Sequence, residues 1–286
     1  MSSQSMASAA GFRPGRLVRR QHLSTRVTHW TWALCLFFLL LSGLQIFNAH
    51  PALYVGKESG FNYDNSILEI GAAETAGIPR GLTTVFGRTF VTTGFLGLSG
   101  SGGNVTSRAF PGWLTIPSYQ DLATGRVVHF FFAWILVATL LAWLILSLVN
   151  RHLRKDLLPR VRDFTGLPAD VGDHLRFRLL HRPRYSPLQK LAYAGVLFIV
   201  FPLIIFTGLT MSPGMDAAFP WLLEVFGGRQ TARALHFLGM LLLVLFFAVH
   251  IAMVVAAGPL NETRSMITGR YRLSPRRSHN RDSGHD

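Results

Sequence analysis

The chain has 286 residues, 49% of them hydrophobic and only 15% charged, with a mean hydropathy of +0.32, which fits a polytopic membrane protein and disfavours a soluble domain. Its net charge of +14 does not indicate nucleic acid, because the positive residues flank apolar spans and report membrane topology instead. The single cysteine, Cys35, excludes a disulfide within the chain and a cysteine metal cluster, and the absence of Cys-x-x-Cys-His excludes covalent c-type haem attachment.

Residues 1–26 form a basic tail with Arg13, Arg16, Arg19, Arg20 and Arg26 and no acid. The apolar run of about 27–48 is too long for a signal-peptide core and no Ala-x-Ala-like site follows it, so an uncleaved first transmembrane helix is expected. Residues 49–125 are a polar insertion too long to be structureless. Short β-like pieces at 66–70, 89–95 and 113–116 predict a small extramembrane cap with some strand. A second span covers about 126–149 and a basic loop 150–189. A third covers about 190–211, with Pro202 as an expected kink. After a short loop with Pro213, Pro220 and Gly227-Gly228, the fourth span runs over about 231–257, and a basic tail fills 258–286. The expected fold class is an all-α membrane protein, a four-transmembrane-helix bundle with a long extramembrane loop between helices 1 and 2.

About 21 of the 28 Lys and Arg residues lie in the N-tail, the 150–190 segment and the C-tail. Positive residues accumulate on the cytoplasmic side, which predicts cytoplasmic termini and a periplasmic 49–125 loop in a bacterial inner membrane. A faint repeat accompanies this topology. Spans one and three end in Ser42-Gly43-Leu44 and Thr207-Gly208-Leu209, and the following spans begin Arg126-Val127-Val128-His129 and Arg233-Ala234-Leu235-His236.

His236 and His250 are fourteen residues apart in the fourth span, almost four helical turns, so they share one face about 21 Å apart along the axis. The alternating direction of the spans sorts four histidines by depth. His129 pairs with His236 on the outer side and His29 with His250 on the inner side. Two bis-imidazole haems stacked across a membrane need this arrangement, because each iron takes two axial nitrogens from different helices. An unligated imidazole in hydrocarbon is costly, and iron ligation relieves that cost. Arg-x-x-His precedes three of these four histidines, as Arg26/His29, Arg126/His129 and Arg233/His236. The spacing puts each arginine on the histidine's face and nearer the interface, where the haem propionates belong. Gly43 and Gly208 are candidates for close approach of a flat ring to the backbone.

With Arg26-Val27-Thr28-His29-Trp30, the Ser-Gly and Thr-Gly pairs and His-x13-His in the fourth span on the page, the chain resembles the bacterial cytochrome b561 family. That family includes the cytochrome b subunits of nickel-iron hydrogenases and the gamma subunits of formate dehydrogenases. The resemblance covers roughly 22–50 and 126–270. It implies two non-covalent b haems held by the matching histidines and electron exchange between a periplasmic redox subunit and the membrane quinone pool. The 258–271 tail is similar to a subgroup placed with periplasmic molybdenum oxidoreductases. The 49–125 loop departs from the short connection of the hydrogenase subunits.

The expected function is therefore an electron-transfer subunit with no catalytic residue of its own: no paired carboxylates, Ser/His/Asp grouping or phosphate loop occurs within the spans. Two other classes remain open at this stage. A stand-alone quinone or superoxide oxidoreductase would turn over without a partner, and a non-redox anchor or transporter would show no Soret band.

Overall fold

A computed structural model describes residues 17–100, 105–149, 164–175 and 186–272. The basic loop of 150–189 and both ends of the tails fall largely outside the described residues. The chain begins with a short strand, β1 (Leu17–Arg19), and the first span, α1 (Leu23–Phe47). The cap follows as β2 (Ala52–Tyr54), β3 (Ser66–Thr75), β4 (Ile78–Val85), β5 (Arg88–Val91), β6 (Gly97–Ser99) and β7 (Thr106–Arg108). The second span is α2 (Leu122–Val149), and α3 (Leu167–Leu175) leads to the third span. This span is built from α4 (Pro187–Gly195), a π-helical turn over Val196–Val200 and α5 (Phe201–Thr210). Two short helices, α6 (Pro213–Ala218) and α7 (Trp221–Val225), precede the fourth span, α8 (Arg229–Ala257). The described chain closes with α9 (Pro259–Thr268) and β8 (Arg270–Arg272).

The four spans contain 24 to 29 residues and are long and apolar enough to cross a membrane. At about 1.5 Å per residue they reach roughly 36–44 Å, more than the ~30 Å hydrocarbon thickness. Each begins a few residues earlier than the sequence predicts, because the polar first turn is also helical. In the third span Ser186 accepts from Gln189 N while the Gln189 side chain accepts from Ser186 N, and Pro187 occupies the first turn. The irregularity expected at Pro202 appears one turn earlier, as the widened π turn. Pro202 has no N–H to give the preceding turn, and the wider turn makes room for its ring.

The spans pack as two hairpins, α1 against α2 and α5 against α8. Mid-bundle packing centres on Cys35, Leu136 and Phe201, with Trp32, Leu36 and Phe132 around them. Cys35 is thus a packing residue. Large apolar side chains such as Phe131, Leu141, Ile145, Leu245 and Val249 are exposed away from the central cavity, as they are where lipid is the solvent.

The all-α expectation holds for the spans alone. The cap contains a four-stranded antiparallel sheet in the order β2-β3-β4-β5 and a β6-β7 ribbon. Residues 66–70 are strand as expected. The expected strand at 89–95 is limited to Arg88–Val91, and 113–116 is not a strand, because Gly112–Leu114 forms a 3-10 turn. The sheet and ribbon cross at Gly81 and Gly97, where a Cβ on either would overlap backbone atoms of the crossing segment.

The cap is seated on the bundle by Leu44, Phe47, Leu53, Ile70, Ala109 and Phe110. Beside this apolar seam the buried Arg108 donates to Gln45 Oε1 and Thr115 Oγ1, both at 2.9 Å, and to the Ser118 carbonyl at 2.7 Å. Asn48 exchanges two hydrogen bonds with the Phe110 backbone. These contacts satisfy polar groups that burial would otherwise penalise. At the opposite end of the bundle β1 pairs with β8 in an antiparallel ribbon, joining the two ends of the described chain. Arg20 forms an ion pair with Glu262 at 3.2 Å, and Trp30 Nε1 donates to the Met266 carbonyl at 3.1 Å.

Candidate functional site

The spans enclose a cavity of about 2560 Å³ that extends from Val18 and Tyr271 at the ribbon end to His50 and Leu53 beneath the cap. That volume exceeds the ~300–1,000 Å³ of an ordinary small-molecule site by more than twofold. His29, His129, His236 and His250 all line it.

His129 on α2 and His236 on α8 face each other near the cap, with ring centroids 6.3 Å apart. Their surroundings repeat. Ser42 Oγ lies 3.1 Å from His129 Nδ1, and Thr207 Oγ1 lies 3.2 Å from His236 Nδ1. Each hydroxyl donates to a carbonyl of its own helix at 2.6 Å, Ser42 to Phe38 and Thr207 to Leu203. Toward the imidazole each oxygen therefore accepts. His236 Nδ1 also reaches the Ile204 carbonyl at 2.9 Å, and the Leu39 carbonyl plays that part for His129. With a hydroxyl lone pair and a carbonyl as its neighbours, each Nδ1 carries the proton, and each Nε2 keeps its lone pair for a ligand.

Gly43 and Gly208 make this placement possible. A Cβ at Gly43 would lie 3.4 Å from His129 Cε1, and one at Gly208 only 3.1 Å from His236 Cε1. The close approach expected at these glycines is thus made by the histidine rings themselves. The Ser-Gly and Thr-Gly pairs point to the glycines in the sequence. The hydroxyls of Ser42 and Thr207 become site residues only once folding brings α2 and α8 against them, although the repeat already carries their positions.

His29 on α1 and His250 on α8 form the second pair, with ring centroids 6.2 Å apart. Trp30 packs edge-on against His29, and Phe246 stacks on His250. His29 Nδ1 is buried with no hydrogen-bond partner, which leaves a polar atom to be accounted for.

The spacing of both pairs fits one geometry. A metal–nitrogen bond of about 2.0–2.1 Å on each side, plus roughly 1.1 Å from nitrogen to ring centre, puts two trans imidazole centroids about 6.3 Å apart. Among the described residues there is no group of three His, Cys, Asp or Glu able to hold a bare metal ion. Two nitrogens suffice only for a metal whose other ligands come with it, as in an iron porphyrin. The donor set, the large apolar cavity and the glycine-backed rings all fit such a group.

Of the three arginines, Arg126 and Arg233 line the cavity at its cap end. Arg233 donates to the His50 carbonyl and lies over the Phe47 ring; Arg126 lies over Phe130. Arg26 departs from the expected pattern. Its guanidinium donates to the Ile267 carbonyl, and it lines a separate small pocket with Arg19 and Arg270. The physical reason is tertiary: α9 folds back beside the first turn of α1 and supplies the acceptor. The ribbon end of the main cavity is lined instead by Arg19, Arg20 and Lys190 among the cationic residues. Outside the spans, burial and the neighbouring Arg233 hold the His50 imidazole below its usual pKa, while Glu69 acts in the opposite direction.

Comparison with known proteins adds two findings. The family model described as "Prokaryotic cytochrome b561" matches residues 20–269. A curated protein of Azospira oryzae, "Putative protein-methionine-sulfoxide reductase subunit YedZ1", is 26% identical over 235 residues, covering 80% of this chain and 86% of that protein.

Proposed function

This chain belongs to the prokaryotic cytochrome b561 family, and from that premise we propose that it is a dihaem b-type subunit carrying electrons between a periplasmic oxidoreductase and the quinone pool. The family makes it a membrane haem protein of electron transfer. The observation that carries the finer reading is the pair of facing imidazoles at 6.2 Å and again at 6.3 Å along one cavity. His129 and His236 ligate the outer haem, and His29 and His250 the inner one. The fourteen-residue spacing of His236 and His250 would set the two haem sites about 21 Å apart along α8.

Haem b, when bound, supplies reversible one-electron iron chemistry. The chain's residues do the rest. Ser42, Thr207 and the carbonyls of Leu39 and Ile204 orient the outer imidazoles through Nδ1–H. This leaves Nε2 as the donor and raises its basicity. Arg126 and Arg233 place positive charge where outer propionates belong. The side chains around Cys35, Leu136 and Phe201 exclude water between the two sites. With two histidines to hold each haem, the chain would leave oxygen no open ligand position.

The partner is proposed from the relative, whose name describes a reductase subunit and not a complete enzyme. We place an oxidoreductase of the molybdenum class on the cap side, and the cap (within 49–125) as its docking element. The termini are cytoplasmic: 1–26 and 258–286 are basic tails flanking a dihaem region of 27–257.

A reduced-minus-oxidised spectrum with a pyridine haemochrome assay tests this directly. The expected result is two b haems per chain, titrating as two components. One haem per chain, or none after haem-sufficient expression, overturns the dihaem assignment.

A further inference from the structure

The small pocket beside α1 has a composition that the electron-transfer function does not use. Arg19 and Arg270 are direct partners in the β1-β8 register. Like charges placed opposite each other across two strands repel and destabilise the pairing. Arg26 joins them from the first turn of α1. Together with Leu17, Gln21, Thr268 and Gly269, the three arginines line a pocket of about 480 Å³ with no carboxylate among the described residues of its wall. Glu262, an acid at this end of the bundle, is engaged by Arg20. Arg26 Nε is buried without a hydrogen-bond partner, while the other side of its guanidinium is anchored on the Ile267 carbonyl. A repelling pair, an unsatisfied buried donor and a third fixed guanidinium together describe a site short of an anion. Arginine forks match the oxygens of a phosphate.

The depth of the pocket identifies the source of that phosphate. Arg26 is one turn before Trp30, whose indole N–H is tied to Met266, and tryptophan sits at the headgroup level of membrane helices. Leu23 and Trp30 share the Arg26 face of α1 at i−3 and i+4 and are exposed, as is Val27. They offer an acyl chain a path leading away from the pocket. Basic pockets on the cytoplasmic side of membrane bundles bind anionic headgroups. We propose that Arg19, Arg26 and Arg270 bind the phosphate of an anionic lipid headgroup. Occupancy clamps the β1-β8 ribbon, whose other face, Val18 and Tyr271, closes the end of the main cavity.

The test uses the full-length holoprotein in neutral detergent, titrated calorimetrically with short-chain phosphatidylglycerol, phosphatidylcholine or inorganic phosphate. Wild type is compared with R19Q/R270Q, which leaves the Arg26 anchor in place. Phosphatidylglycerol is expected to bind at least tenfold more tightly than phosphatidylcholine, and the double substitution to weaken it about tenfold or more. A phosphatidylglycerol affinity within twofold of wild type in R19Q/R270Q overturns the site. Inorganic phosphate binding as tightly as phosphatidylglycerol, and lost in the variant, shows the same chemistry serving a soluble anion and overturns the lipid assignment. Thermal midpoints supply an independent check. Without lipid, R19Q/R270Q should be at least as stable as wild type, because the repulsion is gone, and only wild type should gain on adding phosphatidylglycerol. A variant less stable than wild type without lipid would show that the arginines are structural and refute the proposal.

Discussion

Gly208→Ala and Gly43→Ala should behave differently although the two glycines are repeat-related. At Gly208 the new methyl group lies 3.1 Å from His236 Cε1, and at Gly43 it lies 3.4 Å from His129 Cε1. The second distance is at the edge of ordinary contact. The first requires the imidazole to retreat by a few tenths of an ångström, against the Ile204 carbonyl at 2.9 Å and the Thr207 hydroxyl at 3.2 Å that hold its Nδ1. Weakening those bonds costs about 0.5–1.5 kcal/mol each. A total near 1–2 kcal/mol weakens outer-haem binding by roughly 5- to 30-fold. Alanine in a helix interior gains up to about 1 kcal/mol over glycine, so overall stability should change little while haem affinity falls. Haem stoichiometry by pyridine haemochrome, combined with a potentiometric titration, reads the two effects separately. The expected outcome is partial loss or a shifted potential of one component in G208A, an intact second component, and near wild-type behaviour in G43A. Equal effects of the two substitutions, or loss of the inner component in G208A, would refute the reasoning.

Four further outcomes follow from the same geometry. His129→Ala and His236→Ala should each abolish one and the same redox component, and His29→Ala and His250→Ala the other; a difference spectrum resolved by potential checks this, and loss of the same component in H236A and H250A contradicts the pairing. Thr207→Val keeps the side-chain shape but removes the oxygen that accepts from His236 Nδ1, so the outer midpoint potential should shift while the inner one stays. Arg108→Met strips three hydrogen bonds from the cap seam and leaves Gln45 and Thr115 short of partners; the cap should loosen by about 2–4 kcal/mol, seen as faster amide exchange in 97–119 with both haems retained. Acidification should weaken the same junction through His50. Its folded pKa lies below the ordinary 6.5, so the neutral form is favoured by folding. Stability is then full above pH 6.5 and is lost as pH falls through the window below it. His50→Phe should flatten that acid limb in a thermal-midpoint profile.

Much of the membrane part is legible because hydrocarbon imposes simple rules. A span must be about 20 apolar residues long and helical, and its cations mark its ends; four runs in this chain satisfy that. The depth order of His29, His129, His236 and His250 follows from alternating span direction and a 1.5 Å rise. The cap is less legible. Its strands are stabilised by cross-strand partners distant in sequence, so 113–116 reads as β-like and yet turns at Gly112–Leu114. Arg26 shows the same limit at the other end: its i, i+3 spacing to His29 is real, but the Ile267 carbonyl on α9 decides where its guanidinium goes.

Sequence alone determined the number of spans and which imidazoles share a depth, since these depend on local periodicity and on the cost of polar groups in lipid. Tertiary structure alone decided how the imidazoles are held. The Ser42 and Thr207 hydroxyls, 87 and 29 residues from their histidines, meet them only when the two helices of each hairpin pack. Contacts between helices have no signature in the periodicity of either helix.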